Sequence, residues 1–235
     1  MKRPVAGITP NWYANEPPTD EVYGQWMYGL NQKYVSLAGN SGFVPVALVP
    51  HEGETAPRDS VAAVDLVVLT GGGDPDPVLC SRCVPESICL VETRFGWDMD
   101  VYLAAREAGM PVPGICLGIQ LIALAEGAGL IDDILAEDES CLDHHGSGHN
   151  PKFHDVEMIE GTLLHSLLGP RRRVSTFHHQ AVRGLPDGFI ASAYSPDGIL
   201  EGMESPDGRI LAVQWHPERD DTGPAIFGAV LERMS

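Results

Sequence analysis

The chain has 235 residues, 43% of them hydrophobic and 20% charged, enough to bury a substantial core as one large α/β domain or two small ones. A formal net charge of −18 argues against nucleic acid or an anionic membrane as partner, and Arg171-Arg172-Arg173 reads as a solvated edge. With no apolar run of membrane-spanning length, no signal-peptide core after Met1 and an odd five cysteines, the expectation is a cytoplasmic protein without a disulfide framework.

In chain order, Pro4 to Pro10 reads as a strand running into a loop, and a helical pattern follows from about Glu21 to Ala38. Phe43 to Val49 reads as a second strand. Val64 to Thr70 is a third, running straight into Gly71-Gly72-Gly73-Asp74. The spacing predicts a helix over Arg94 to Ala108, ended by Gly109 just before a short apolar strand. Strands alternating with helices imply a doubly wound, mostly parallel sheet with functional loops at the strands' carboxyl ends.

From about Val156 the texture changes. Segments at Val174–Phe177, Phe189–Tyr194, Ile199–Met203 and Ile210–Gln214 are punctuated by Pro-Asp-Gly turns at residues 186, 196 and 206. These predict additional antiparallel strands before a final helix from about Pro224 to Met234. No linker divides the chain, so residues 1–235 are read as a single domain.

The stretch Gly114-Ile115-Cys116-Leu117-Gly118 is the small-x-nucleophile-x-small pattern of a strand-to-helix elbow. Flanking glycines remove the Cβ atoms that so sharp a turn would force into contact. A thiol there also faces the positive end of the next helix, which favours thiolate. The alternative is a buried core cysteine. Val213-Gln214-Trp215-His216-Pro217-Glu218 follows another strand and supplies a base, His216, with Glu218 two residues on to orient it. The Leu117 amide, just after the nucleophile, would hold an oxyanion, with a second donor from the glycine loop. That loop does not suit phosphate, because no Lys-Ser/Thr follows and Asp74 and Asp76 would repel it.

Gly-Ile-Cys-Leu-Gly-Ile-Gln at 114–120, Phe-His-His-Gln-Ala-Val at 177–182, Ser195-Pro196-Asp197-Gly198 and Val-Gln-Trp-His-Pro-Glu at 213–218 together resemble the class I glutamine amidotransferase-like superfamily. Within it the sequence is most similar to the γ-glutamyl-γ-aminobutyrate hydrolase branch, from Gly7-Ile8-Thr9-Pro10 to Glu218. The resemblance implies a triad of Cys116, His216 and Glu218 hydrolysing a γ-glutamyl amide through a thioester, with the Gly72 and Leu117 amides as oxyanion hole. It further implies Gly73, Gln120, His178, His179, Gln180 and Glu201 as substrate-binding residues, no metal or organic cofactor, and a small-molecule γ-glutamyl amide as the partner. A homodimer is compatible with it. Two alternatives stay open: a glutaminase subunit delivering ammonia to a synthase partner, and a non-catalytic binding protein on the same fold.

Three positions depart from the hydrolase branch. Leu117 replaces a basic residue and is what glutaminase subunits carry. Pro113 stands where the elbow strand usually has an aliphatic residue, and Pro77 to Cys83 replaces a stretch that normally continues to Tyr-Gly. Cys80, Cys83 and Cys89 with Asp143, His144, His145 and His149 could make a divided zinc site, but nothing in the sequence joins the two halves. The expectation is loop residues at the pocket mouth and a solvated histidine cluster.

Overall fold

The computed structural model describes residues 2–13, 27–74, 89–145 and 152–234. It opens with β1 (Val5–Ile8) and an antiparallel ribbon of β2 (Asn11–Tyr13) and β3 (Met27–Gly29), followed by α1 (Gln32–Asn40), β4 (Val44–Ala47), α2 (Ala56–Ala62) and β5 (Leu66–Val68). Next come α3 (Cys89–Glu107), β6 (Val112–Ile115), α4 (Leu117–Ala125), β7 (Gly129–Ile131) and the single turn α5 (Ile134–Glu137). The last third is β8 (Lys152–Met158), α6 (Leu163–Leu168), β9 (Arg171–Thr176), β10 (Ala181–Arg183), β11 (Ile190–Tyr194), β12 (Leu200–Glu204), β13 (Ile210–Val213), a 3₁₀ turn (Pro217–Arg219) and α7 (Gly223–Glu232).

Strands β4, β1 and β5 lie side by side and parallel. β5 continues into β6 through a parallel bridge: Leu69 N–H donates to the Pro113 carbonyl (3.0 Å), and Ile115 N–H donates to the Leu69 carbonyl (2.9 Å). Pro113 therefore serves the ladder as an acceptor, although it has no N–H to give. β6 pairs in parallel with β13; beyond it the sheet turns antiparallel through β12, β11, β8 and β9. This is the expected α/β fold, a parallel sheet grading into a mixed one.

Both faces are covered. On one face Val67 and Leu69 cluster with Val101 of α3 and Ile119 and Leu121 of α4, and on the other Ile8, Phe43 and Trp215 cluster with Phe227 of α7. Each fully buried large side chain of this kind contributes about 1.5–3 kcal/mol. The near-continuous apolar runs of β5 and β6 follow from burial on both faces.

The helix expected from about Glu21 begins at Gln32. Met27–Gly29 is a strand instead, and Asn31 starts the helix by accepting the Lys33 N–H on its Oδ1 (2.9 Å). Residues 21–26 lie outside the described set. Helix α3 starts earlier than expected, at Cys89, and α2, with proline in its first turn, is hidden among the breakers around it. β8 begins at Lys152 and pairs with β9 from Lys152 to Glu157, earlier than the texture change expected at about Val156.

Candidate active site

The carboxyl ends of β5, β6 and β13 meet at one edge, and the candidate residues gather there. Cys116 caps α4 with φ 54° and ψ −103°; among the described residues it is the sole non-glycine at positive φ. That conformation is strained for an L residue and persists only where the surroundings impose it. The surroundings are tight. A Cβ on Gly118 would lie 2.5 Å from the Leu69 carbonyl oxygen, and one on Gly114 would lie 2.7 Å from Ile122 Cδ1. Gly118 is thus demanded by close backbone approach, and Gly114 by the packing of Ile122 against the elbow.

Register brings the histidine alongside. Cys116 N–H donates to the Val213 carbonyl (2.9 Å), so the chain leaving β13 runs beside the elbow, and His216 N–H is fixed by the Ser175 carbonyl (3.0 Å). His216 Nδ1 shares a 2.8 Å hydrogen bond with Glu218 Oε1, both side chains being buried. A Cβ built on Gly71 would meet His216 Cε1 at 3.0 Å and Cys116 Cβ at 3.3 Å, which puts imidazole and thiol against the same glycine. Burial alone would push His216 down; the charge of the Cys116 sulfur and the Glu218 carboxylate outweigh it and hold the imidazole at about 10. Glu218 is pushed up by burial but pulled below its ordinary value by His216.

The glycine loop is braced from beneath. Arg94, buried on α3, donates from Nη2 to Thr70 Oγ1 (3.0 Å) and to the Thr70 and Gly71 carbonyls (3.3 and 3.1 Å), and from Nη1 to Asn11. Its Nε pairs with Asp98 at 3.3 Å. A Cβ on Gly72 would overlap this guanidinium, so only glycine lets the loop sit so close. Tyr34 adds a second brace, its hydroxyl accepting the Gly71 N–H (3.1 Å). Burial raises the Asp98 carboxyl to about 6 against the pull of Arg94.

A pocket of about 550 Å³ opens over Cys116 and His216, with Gly71, Gly72, Gly73, Gln120, Phe177, His178, His179, Gln180 and Arg219 in its walls. Gln120 Nε2 donates to the Gln180 carbonyl (3.2 Å) and to Gln214 Oε1 (3.3 Å), and Gln214 Nε2 approaches Cys116 Sγ at 3.8 Å. At the mouth, half-buried His179 bridges Asp74 (3.0 Å) and Asp133 (3.3 Å); hydrogen bonding to Asp74 is the main cause of its raised pKa.

Of the expected substrate-binding residues, Glu201 is not in this pocket. It is fully buried on β12 behind His178, among the rings of His144, His154 and His178. The expectation of a solvated histidine cluster is also corrected: Asp143 and His145 are exposed, but His144 is buried, because Asp197 binds both its ring and the Leu142 N–H. Cys80, Cys83 and His149 lie outside the described residues, as does the side chain of Cys89. Sequence reading missed Tyr34, Arg94, His154 and Gln214. Only Gln214, inside a quoted motif, carried a local signal.

The profile of the Peptidase C26 family matches residues 4–218. Protein NtpR of Enterococcus hirae is 32% identical over 222 residues, covering 92% of this chain and 91% of its own length. A glutamine-hydrolyzing GMP synthase subunit from Methanosarcina barkeri is 29% identical over 202 residues, 85% of each chain. Among solved structures, a glutamine amidotransferase from Thermotoga maritima superimposes with a TM-score of 0.62 at 14% identity, over 99% of both chains. The glutaminase domain of Trypanosoma brucei CTPS with bound acivicin gives 0.63 at 13% identity, over 97% of this chain and 92% of that one. These two likenesses establish the glutamine amidotransferase-like fold. The chain belongs to the Peptidase C26 family.

Proposed function

We propose that this Peptidase C26 chain is a cysteine-dependent γ-glutamyl amide hydrolase, releasing an amine from a γ-glutamyl amine such as γ-glutamyl-γ-aminobutyrate. The observation that carries the reading is the strained Cys116 packed against the His216–Glu218 pair at the floor of the pocket. His216 takes the Cys116 proton, and the sulfur attacks the γ-carbonyl carbon. The carbonyl electrons move to an oxyanion held by the Gly72 and Leu117 amides. Collapse breaks the C–N bond, and His216 gives its proton to the departing amine. Water, deprotonated by His216, then attacks the γ-glutamyl thioester, yielding glutamate and restoring the thiol. Glu218 fixes the imidazole tautomer throughout. Gly73, Gln120, His178, His179 and Gln180 are assigned to substrate binding.

A second reading, a glutaminase that passes ammonia to a synthase, is favoured by Leu117 and by the relative named as a GMP synthase subunit. One experiment separates them. Purified protein is given glutamine and a panel of γ-glutamyl amines side by side, with ammonia and amine release measured. The hydrolase reading expects turnover of amines by the chain alone and little on glutamine. Silence on the amines, with glutaminase activity appearing only beside a synthase, overturns it.

A further inference from the structure

Behind the wall of the active pocket, three imidazoles converge on one carboxylate. Glu201 Oε1 lies 3.4 Å from His144 Nδ1, 3.3 Å from His154 Nε2 and 3.6 Å from His178 Nε2, and all four side chains are at least nine-tenths buried. Among the described residues, none of these facing atoms makes a hydrogen bond: His144 Nδ1, both His154 nitrogens, His178 Nε2 and both Glu201 oxygens are buried without one. The outer nitrogens fix the tautomers. His178 Nδ1 sits 2.9 Å from the Gln180 carbonyl, an acceptor only, so it carries the proton. His144 Nε2 sits 2.8 Å from Asp197 Oδ2 and is likewise the protonated nitrogen. A neutral His178 thus turns the lone pair of Nε2 toward the Glu201 carboxylate, and a lone pair facing a carboxylate in a desolvated interior needs a cation between them.

We propose that His144, His154 and Glu201 bind a divalent transition metal of the zinc class, with His178 as fourth donor. The spacing fits coordination better than hydrogen bonding. Charge-assisted N–H···O bonds run about 2.7–2.9 Å, whereas a tetrahedron with metal–ligand bonds of about 2.0–2.1 Å has edges of about 3.3–3.4 Å. One ligand atom from each of His144, His154 and Glu201 falls in a group no wider than 4.8 Å. His178 lies outside that group, its Nε2 3.6 Å from Glu201 Oε1. Three nitrogens and one carboxylate oxygen suit zinc and its neighbours rather than magnesium or calcium. Asp197 and the Gln180 carbonyl are the outer partners that orient metal-bound imidazoles. A cavity of about 300 Å³ is lined by His144 and His178 together with Asp133 and Asp143, which pair with His179 and Lys152. The ion ties β8 and β12 to the segment carrying Phe177–Gln180, and so fixes one wall of the pocket without touching the scissile bond.

The test does not depend on turnover, so it stands or falls apart from the proposed activity. The full-length protein is stripped with a chelator, then titrated with zinc against a chromophoric competitor and with cobalt(II) for its visible spectrum. Expected are one tight equivalent per chain, an intense four-coordinate cobalt spectrum and a rise in Tm on adding zinc. His154→Asn and Glu201→Gln abolish the tight site; Asp197→Asn weakens it about 10–100-fold. Tight binding that survives His154→Asn, and is lost instead in Cys116→Ser or in a Cys80, Cys83 and Cys89 serine variant, overturns the proposal. So does a folded wild-type chain that takes up no equivalent; because this measurement needs no variant, a poorly folding mutant leaves the proposal falsifiable.

Discussion

Two histidine–carboxylate assemblies stand on opposite sides of the Phe177–Gln180 segment, made of the same groups with opposite outcomes. In the first, Glu218 sits 2.8 Å from His216 Nδ1, and the imidazole's other face meets the Cys116 sulfur at an open pocket. In the second, Glu201 is fully buried and ringed by imidazoles at 3.3–3.6 Å. In the first, a carboxylate accepts from an imidazole whose other side meets a thiol, an arrangement suited to moving a proton to and from the nucleophile we propose. The second is a convergence of buried imidazole nitrogens on one carboxylate, the arrangement we propose to hold a cation. Direction of the free nitrogen decides which chemistry is available, not the inventory of residues.

The largest break in that contrast is Cys116→Ala. It should reduce amine release by about a millionfold, the loss seen when a covalent nucleophile is removed from a triad, with the circular dichroism spectrum unchanged. Because the sulfur is the main group raising His216, the same variant should lower the imidazole from about 10 toward its ordinary value, read by NMR titration. Residual turnover above background would sink the assignment of the nucleophile. Next in size, Glu218→Gln should lower kcat by about 10²–10⁴-fold with little change in KM, since it removes the group that orients the base. Equal loss in KM alone would make Glu218 a binding residue.

The two assemblies are unequally legible. Cys116, Gly118, His216 and Glu218 are bound to their partners by local rules: an elbow needs glycines two residues either side, and the carboxylate lies two positions from the imidazole. Such spacing survives in the sequence. Glu201, His144, His154 and His178 come from β12, β8 and two loops, and only the antiparallel register beyond β13 joins them. No spacing encodes that, which is why the family resemblance alone implies Glu201 in the pocket and the local pattern leaves His144 in solvent. Arg94 is hidden for the same reason. It sits on an expected helix, but its role depends on the Thr70–Gly72 loop from another strand. The parallel half of the fold is readable from buried apolar runs, while β2, β3 and β7, each only three residues long, carry too little periodicity to show.

Arg94 and Asp98 sharpen the comparison as a buried pair with neither nucleophile nor convergent imidazoles. Asp98→Ala removes the partner of the Arg94 Nε and should cost about 3–5 kcal/mol in denaturant unfolding, whereas Asp98→Asn, which mimics the protonated carboxyl, should cost far less. The pH dependence has a definite sign. Asp98 is raised from 3.8 to about 6 in the folded chain, so the folded state holds its proton longer than the unfolded state. Its contribution to stability is greatest below the unfolded value and is lost as pH rises through about 6. The wild type should show that fall between about pH 4 and 6, and Asp98→Asn should flatten it. A slope of equal size in both proteins would assign the titration to another group.

The smallest effect is expected at the third histidine–carboxylate arrangement, His179 between Asp74 and Asp133 at the pocket mouth. It has the charges of the other two sites but about a third of its side chain is exposed, and water screens what burial would magnify. An exposed ion pair is worth about 1 kcal/mol or less, so His179→Gln should raise KM by only about two- to fivefold. kcat should hold, because His179 touches neither Cys116 nor His216. The effect should shrink further as salt is raised, since the ties to Asp74 and Asp133 weaken as they are screened. A loss in kcat that salt does not alter would mean that His179 acts on the reacting atoms, and the ordering of the three sites by burial would fail.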